Sequence, residues 1–247
     1  MDSSSTSQRD IFLSIVSHEL KTPITSIQGF TQAMQRKILQ KLENYSDNPL
    51  FSKEELEKHN ENLDTILRQI KRMNLLIDSL LDISVIERGS LSMRFATVDL
   101  YKVIIDVCER MREQTPNHKI LVESSVEGIN TILGDEDRLD QLFINILSNA
   151  IKFSISNANI VVAIKEDNNF YSIDIQDQGI GIAEEELDHV FDLYYRGKDI
   201  GNRKVSGLGL GLYLSKKIVE SHHGSISIQS KVGHGTTIRV TFPKYIE

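Results

Sequence analysis

The stretch DRLDQLFINILSNAIKFS, Asp137 to Ser154, sets two different faces on one helix. Leu139, Leu142, Phe143, Ile146 and Leu147 recur at steps of three and four, the apolar stripe of a core-facing helix. Asn145, Asn149 and Lys152 stand at i, i+4 and i+7 and so share a second face. Amide oxygens suit Mg2+ and an ammonium suits phosphate, so this face can hold a cation together with its phosphates. A solvated polar face is the alternative for the same three residues.

Outward from this helix, strands and helices alternate. RFATVDL reads as a strand, and LYKVIIDVCERMREQ as an amphipathic helix with Asp99 as N-cap. HKILVESS and INTILGD are strands, and ANIVVAIKED and FYSIDIQD are two more around Asn168 and Asn169. AEEELDHVFDL reads as a short helix. GLGLYLSKKIVESHHG reads as a helix that closes at Gly224 as its C′ residue. SISIQS and TTIRVTFP form a final hairpin. The pattern predicts an α/β two-layer sandwich with a mixed sheet.

Two glycine-bearing segments lie in this half. In DIQDQGIGI, Asp177 ends a strand and is followed by Gly179 and Gly181. Glycine lets backbone approach a ligand closely, and a carboxylate at a strand end can accept a hydrogen bond from an exocyclic amine such as that of adenine. A tight turn is the alternative. In SGLGLGLYLSKK, Gly207, Gly209 and Gly211 precede a helix, whose free N–H groups make an anion site. The spacing is neither a P-loop nor the dinucleotide fingerprint. The preceding YYRGKDIGNRKVS carries Arg196, Lys198, Arg203 and Lys204 and reads as a mobile lid over a phosphate tail.

The first 88 residues have a different periodicity. One helix is expected from about Gln8 to Glu43, with Phe12, Val16, Leu20, Ile24 and Ile27 on its stripe. NYSDNP is a turn cluster. A second helix is expected from about Lys53 to Glu87, opened by Ser52 with Glu55 at capping-box spacing. Its stripe is Leu56, Leu63, Leu67, Ile70, Ile77 and Leu81, followed by Ser84, at coiled-coil-like steps. Each helix would be about 50 Å long, and a lone hairpin would expose the far side of its apolar faces. Self-association into a dimeric four-helix bundle covers them.

The first helix contains SHELKTPITS, Ser17 to Ser26. His18, Glu19 and Thr22 are polar residues within it, and a satisfied interface histidine is one reading of His18. Pro23 lacks the N–H that would bond the Glu19 carbonyl, which predicts a bend just after His18. His59, His118, His189, His222, His223 and His234 are assigned to surface or turns, and no His/Cys cluster has zinc spacing.

Composition narrows the class. The chain of 247 residues is 40% hydrophobic and 26% charged with a net charge of −7, which excludes the basic footprint of a nucleic-acid binder. The one cysteine, Cys108, lies on an apolar helical face and reads as core, in keeping with a reducing compartment. No apolar run approaches the ~18 residues of a membrane span, and MDSSSTSQRD lacks the apolar core of a signal peptide. These residues are expected to make no membrane contact and to be cytoplasmic. The early onset of helix suggests a piece of a longer protein and leaves room for a membrane segment upstream.

Together these stretches resemble the sensor histidine kinases of two-component signalling. SHELKTPITS is similar to the H box of their dimerisation and phosphoacceptor hairpin, and DRLDQLFINILSNAIKFS to the N box. DQGIGI resembles the G1 box, VFDLYYRG the F box, GLGLGL the G2 box, and GHGTTIRVTFP the closing strand. The resemblance runs from about Phe12 to Pro243, with the boxes in order and at matching spacing. It implies a hairpin domain over residues 1–88, a linker over 89–94 and a Bergerat-type ATP-binding domain over 95–247.

The same resemblance implies roles. His18 would accept phosphate from ATP, Glu19 would act as its acid/base partner, and Thr22 would place a water for dephosphorylating the partner. Asn145 would bind Mg2+, with Asn149 and Lys152 near the phosphates and Phe153 in the nucleotide site. Asp177 would take the adenine amine, with Gly179 and Gly181 behind it and Thr236 in support. Arg196 would reach the γ-phosphate, and Lys198 would line the nucleotide site. Gly207, Leu208, Gly209, Leu210 and Gly211 would cradle the phosphates. The implied partners are a second copy and the receiver domain of a response regulator. Related ATPases carry a water-activating glutamate where Asn145 stands, and an amide cannot act as that base. A GHKL-type ATPase and a non-catalytic nucleotide-binding scaffold are the alternatives. The hairpin is longer than the family's usual one by about one heptad per helix, so phosphorylation within or between subunits is open.

Overall fold

A computed structural model describes residues 3–43, 52–86, 91–126, 131–155, 158–197 and 208–245. The chain divides into a helical unit that extends through Leu81 and takes in Leu208, and an α/β unit that begins at Asp82, near the end of the second helix, and takes in Gly209 onward. Lys198, Gly207, Arg203, Lys204 and the NYSDNP turn lie outside the described residues, as does the side chain of His18.

In the helical unit, α1 spans Ser3–Glu43 and α2 spans Lys53–Ile86. The start of α2 has the expected reciprocal cap. Ser52 N donates to Glu55 Oε2 at 2.9 Å, and Glu55 N donates to Ser52 Oγ at 3.2 Å. Helix α1 begins earlier than the expected Gln8 and continues through Pro23, which is buried. Loss of the single N–H at Pro23 does not end the helix. The expected α2 stripe is solvent-facing in the single chain, with Leu56, Leu63, Leu67, Ile70, Ile77 and Leu81 all exposed.

The α/β unit holds β1 (Ala96–Asp99), α3 (Leu100–Gln114), β2 (Lys119–Ser124), β3 (Thr131–Gly134), α4 (Glu136–Phe153), β4 (Asn159–Glu166) and β5 (Phe170–Gln176). A 3-10 helix (Glu184–His189), α5 (Gly211–Ser221), β6 (Ser225–Lys231) and β7 (Gly235–Pro243) complete it. Five strands form a mixed sheet in the order β2-β4-β5-β7-β6, with only β2 and β4 parallel. A separate antiparallel pair joins β1 to β3.

Alternation on the strands meets the helical stripes to make one core. Ile160, Val162, Ile173 and Val240 from the sheet are fully buried with Leu139 and Leu142 from α4. Asp99 caps α3 by accepting from Lys102 N, and Asp135 caps α4 by accepting from Arg138 N. Cys108 is fully buried, and burial pushes its thiol up to about 11, so it packs as a small apolar residue.

Four local expectations change. The segment AEEELDHVFDL supplies only a 3-10 helix, with three glutamates in its first turn and no side-chain cap. At the end of α5 the left-handed residue is His223, with a φ of 58°, not Gly224. Gly224 is needed for space, since a Cβ there would lie 2.2 Å from Thr241 O. His59 on α2 is buried, not at the surface. His222 is also buried: its Nε2 accepts from Asp135 N at 2.9 Å, and its Nδ1 lies 2.8 Å from Ile218 O. Phe95 and Phe242 meet this ring edge-on.

The two contacts require a neutral ring with its proton on Nδ1, and burial lowers the pKa of His222. The unfolded chain therefore binds more protons than the fold just below pH 6.5, and stability falls as pH drops through that value. His222→Ala should destabilise the chain by about 2 kcal/mol at pH 7.5. In urea unfolding its deficit against the parent should shrink at pH 5.5.

Candidate active site

The site forms where β5 ends. Asp177 N donates to Thr236 O at 2.9 Å, and Thr236 N donates back to Asp177 Oδ1 at 3.2 Å. Gly179 N donates to the same Oδ1 at 2.8 Å. Oδ1 is thus fully engaged, while Oδ2 carries no hydrogen bond among the described residues. Burial raises the Asp177 carboxyl to about 6, and the two backbone donors pull against that rise. This is a held carboxylate with one oxygen to offer.

The loop after Asp177 is packed too tightly for a side chain. A Cβ at Gly179 would lie 2.4 Å from Phe153 O and 2.6 Å from Asp177 Oδ1. Ile180 N donates to Phe153 O at 3.3 Å, which fastens the loop to the end of α4. Gly181 lies over the Lys231 carbonyl. Asp177, Thr236, Gly179, Gly181 and Phe153 are therefore brought together.

The amide face of α4 turns toward the start of α5. A Cβ at Gly211 would lie 3.9 Å from Asn145 Cγ and 4.0 Å from Asn149 Nδ2. Gly211 opens α5, and Leu210 before it supplies no side-chain cap. The start of α5 thus lies beside the two amides with no side-chain cap from Leu210, a setting suited to phosphate. Gly209 has a φ of 69°, and a Cβ there would lie 2.4 Å from Tyr195 O, so only glycine fits. Leu210 is buried; Leu208, also buried, groups with the helical unit.

Lys152 is exposed in the last turn of α4, with Nζ 5.0 Å from the Phe153 ring centroid. Arg196 is exposed and lies two residues after Tyr194, a non-glycine residue with a φ of 68°. That strained backbone has no signal in the sequence. A lone Asn145 amide fits a cation that takes most of its ligands from phosphate and water, as Mg2+ does. Among the described residues no group of three or more His, Cys, Asp or Glu could hold a metal. His18, Glu19 and Thr22 belong to the helical unit, where Glu19 is buried and Thr22 exposed.

Two family models match in succession. Residues 8–89 match the His Kinase A (phospho-acceptor) domain. Residues 134–246 match the histidine kinase-, DNA gyrase B- and HSP90-like ATPase domain. The chain belongs to the sensor histidine kinases.

Among the relatives of this chain, sensor histidine kinase YkoH of Bacillus subtilis is 31% identical, over 94% of this chain and 47% of its own length. The cell-division control histidine kinase PdhS of Brucella anthropi is 29% identical, over 96% of this chain and 22% of its own. The chain thus spans less than half the length of either relative. A solved structure of histidine kinase ThkA in complex with response regulator protein TrrA shares the fold, with a TM-score of 0.61 at 23% identity. It covers 96% of this chain and 64% of that one. No described helix is long and apolar enough to cross a membrane.

Because the folded pKa of Asp177 lies above the ordinary 3.8, the fold holds this proton more tightly than the unfolded chain does. The stability so contributed is complete below pH 3.8 and lost as pH rises through about 6. Asp177→Asn should stabilise the ligand-free chain by about 1 kcal/mol at pH 7.5. The gain should shrink at pH 4.5 in thermal unfolding, while ATP affinity falls by about 10-fold or more.

Proposed function

We propose that this chain is the catalytic core of a two-component sensor kinase. It autophosphorylates on His18 from ATP and passes the phosphoryl group to an aspartate on a response-regulator receiver domain. Residues 1–88 act as the dimerisation and phosphoacceptor hairpin, 89–94 as linker and 95–247 as the ATP-binding domain. The observation that carries this reading is the joint geometry of the α/β unit. A buried carboxylate with one free oxygen, at Asp177, accompanies an uncapped helix start at Gly211 that faces Asn145 and Asn149.

In this mechanism Asp177 Oδ2 accepts the exocyclic amine of adenine, with Gly179, Gly181 and Thr236 fixing its carboxylate. Phe153 borders the base site. The α5 N–H groups from Gly211 on, with Gly207 to Leu210, receive the phosphates beside Asn149, Lys152 and Lys198. Asn145 would hold Mg2+, which when bound neutralises phosphate charge. Neutral His18 attacks the γ-phosphorus, an N–P bond forms, and the P–O bond to ADP breaks. Glu19 accepts the other ring proton as the imidazolium develops, and Arg196 offsets charge on the transferring group. Adjacent residues on a helix do not face each other, so Glu19 has to reach around toward the ring. Asn145 cannot act as a general base, which favours transfer to His18 over rapid ATP hydrolysis.

The exposed stripe from Leu56 to Leu81 supports a homodimer closed as a four-helix bundle. The response-regulator partner is proposed from the family and from the ThkA–TrrA complex. Thr22, exposed one turn after His18, would place the water for regulator dephosphorylation. The use of ATP as phosphate donor supports a cytoplasmic location for the core.

With γ-labelled ATP and Mg2+, the chain should acquire an acid-labile, base-stable label that His18→Ala abolishes. Acid-stable label, or label that survives His18→Ala, contradicts the reading. Leu63→Glu together with Leu67→Glu should convert a dimer to a monomer in sedimentation at micromolar concentration. A parent chain that sediments as a monomer contradicts the bundle.

A further inference from the structure

Ser154 is the C-cap of α4, and its N–H donates to Ala150 O at 3.1 Å. The residue is 6% exposed, yet its Oγ is buried with no hydrogen-bond partner among the described residues. Buried hydroxyls rarely stay unpaired, so this one points to a ligand or water that completes it.

The backbone fixes the side on which Ser154 stands. Ile180 N donates to Phe153 O at 3.3 Å, and Ile155 N donates to Gln178 O at 3.4 Å. These bonds flank Ser154 and Gly179 as a directly opposed antiparallel pair that is itself not hydrogen-bonded. Side chains of such a pair share one face of the ribbon. A Cβ at Gly179 would lie 2.6 Å from Asp177 Oδ1, so that face is the one holding the Asp177 carboxylate. With no side chain at Gly179, nothing from that residue stands between Ser154 and Asp177.

A hydroxyl donor beside a carboxylate acceptor matches one edge of adenine. Its exocyclic amine donates, and the neighbouring ring nitrogen N1 accepts. Guanine reverses both, with an acceptor at O6 and a donor at N1. We infer that Ser154 Oγ donates to N1 of adenine, directly or through one water, while Asp177 accepts the amine. Ser154 is then a specificity-determining residue for ATP over GTP. This rests on the reading of Asp177 as the base-binding carboxylate.

Calorimetric titration of the full chain with ATP, GTP and 1-deaza-ATP, whose N1 is replaced by CH, tests it. The parent should bind 1-deaza-ATP ~10-fold more weakly than ATP. Ser154→Ala should bind ATP ~10-fold more weakly, lose nothing further with 1-deaza-ATP, and show a smaller ATP-to-GTP ratio. Ser154→Thr keeps the hydroxyl and should retain ATP binding within ~3-fold. Unchanged ATP binding by Ser154→Ala, or losses that multiply fully with 1-deaza-ATP, overturns the inference. Equal binding of ATP and 1-deaza-ATP by the parent overturns it without any variant. If Asp177→Asn binds ATP like the parent, the base-site reading itself fails. If Asp177→Asn loses ATP while Ser154→Ala does not, only the role of Ser154 fails.

Discussion

One carboxylate oxygen organises the α/β unit's functional end. Oδ1 of Asp177 is held by Gly179 N and Thr236 N, and Asp177 N is tied to Thr236 O. These bonds join the end of β5 to the start of β7, and the glycine loop they shape is fastened to Phe153 at the end of α4. The same constraint leaves Oδ2 open in a buried setting that raises the carboxyl to about 6. A group this costly to bury ionised is retained where a ligand repays the desolvation.

Much of the fold was legible because it is written in local chemistry. The Ser52–Glu55 capping box, the Asp99 cap and the alternation on β4 and β5 each form where their residues dictate. The hairpin between β4 and β5 is fixed by Asp167, whose Oδ1 accepts from Asn169 N and Phe170 N. Non-local pairings were not legible. The parallel match of β2 with β4 and the separate β1–β3 pair depend on residues far apart in the chain. The burial of His222 is hidden from the sequence for the same reason. SHHG looks like a polar helix end, and the Asp135 N–H that needs an acceptor lies 87 residues away.

The candidate site divides along the same line. Asn145, Asn149, Asp177 and the glycines at 179, 209 and 211 could be picked out because their types and spacing carry the chemistry. Which Asp177 oxygen is bound, the left-handed Tyr194 and the unpaired Ser154 hydroxyl all follow from tertiary packing. The α2 stripe shows the converse case. Its periodicity is plain in the sequence, yet the residues remain exposed in the single chain.

The central claim is that the Asp177 carboxylate and the start of α5 hold the two ends of one nucleotide. A crystal structure of the full chain with a non-hydrolysable ATP analogue and Mg2+ tests it most directly. The account predicts the adenine amine within hydrogen-bond distance of Asp177 Oδ2, and phosphates against Gly209 to Gly211 beside Asn145 and Asn149. A nucleotide bound elsewhere, or with its base turned away from Asp177, would contradict it.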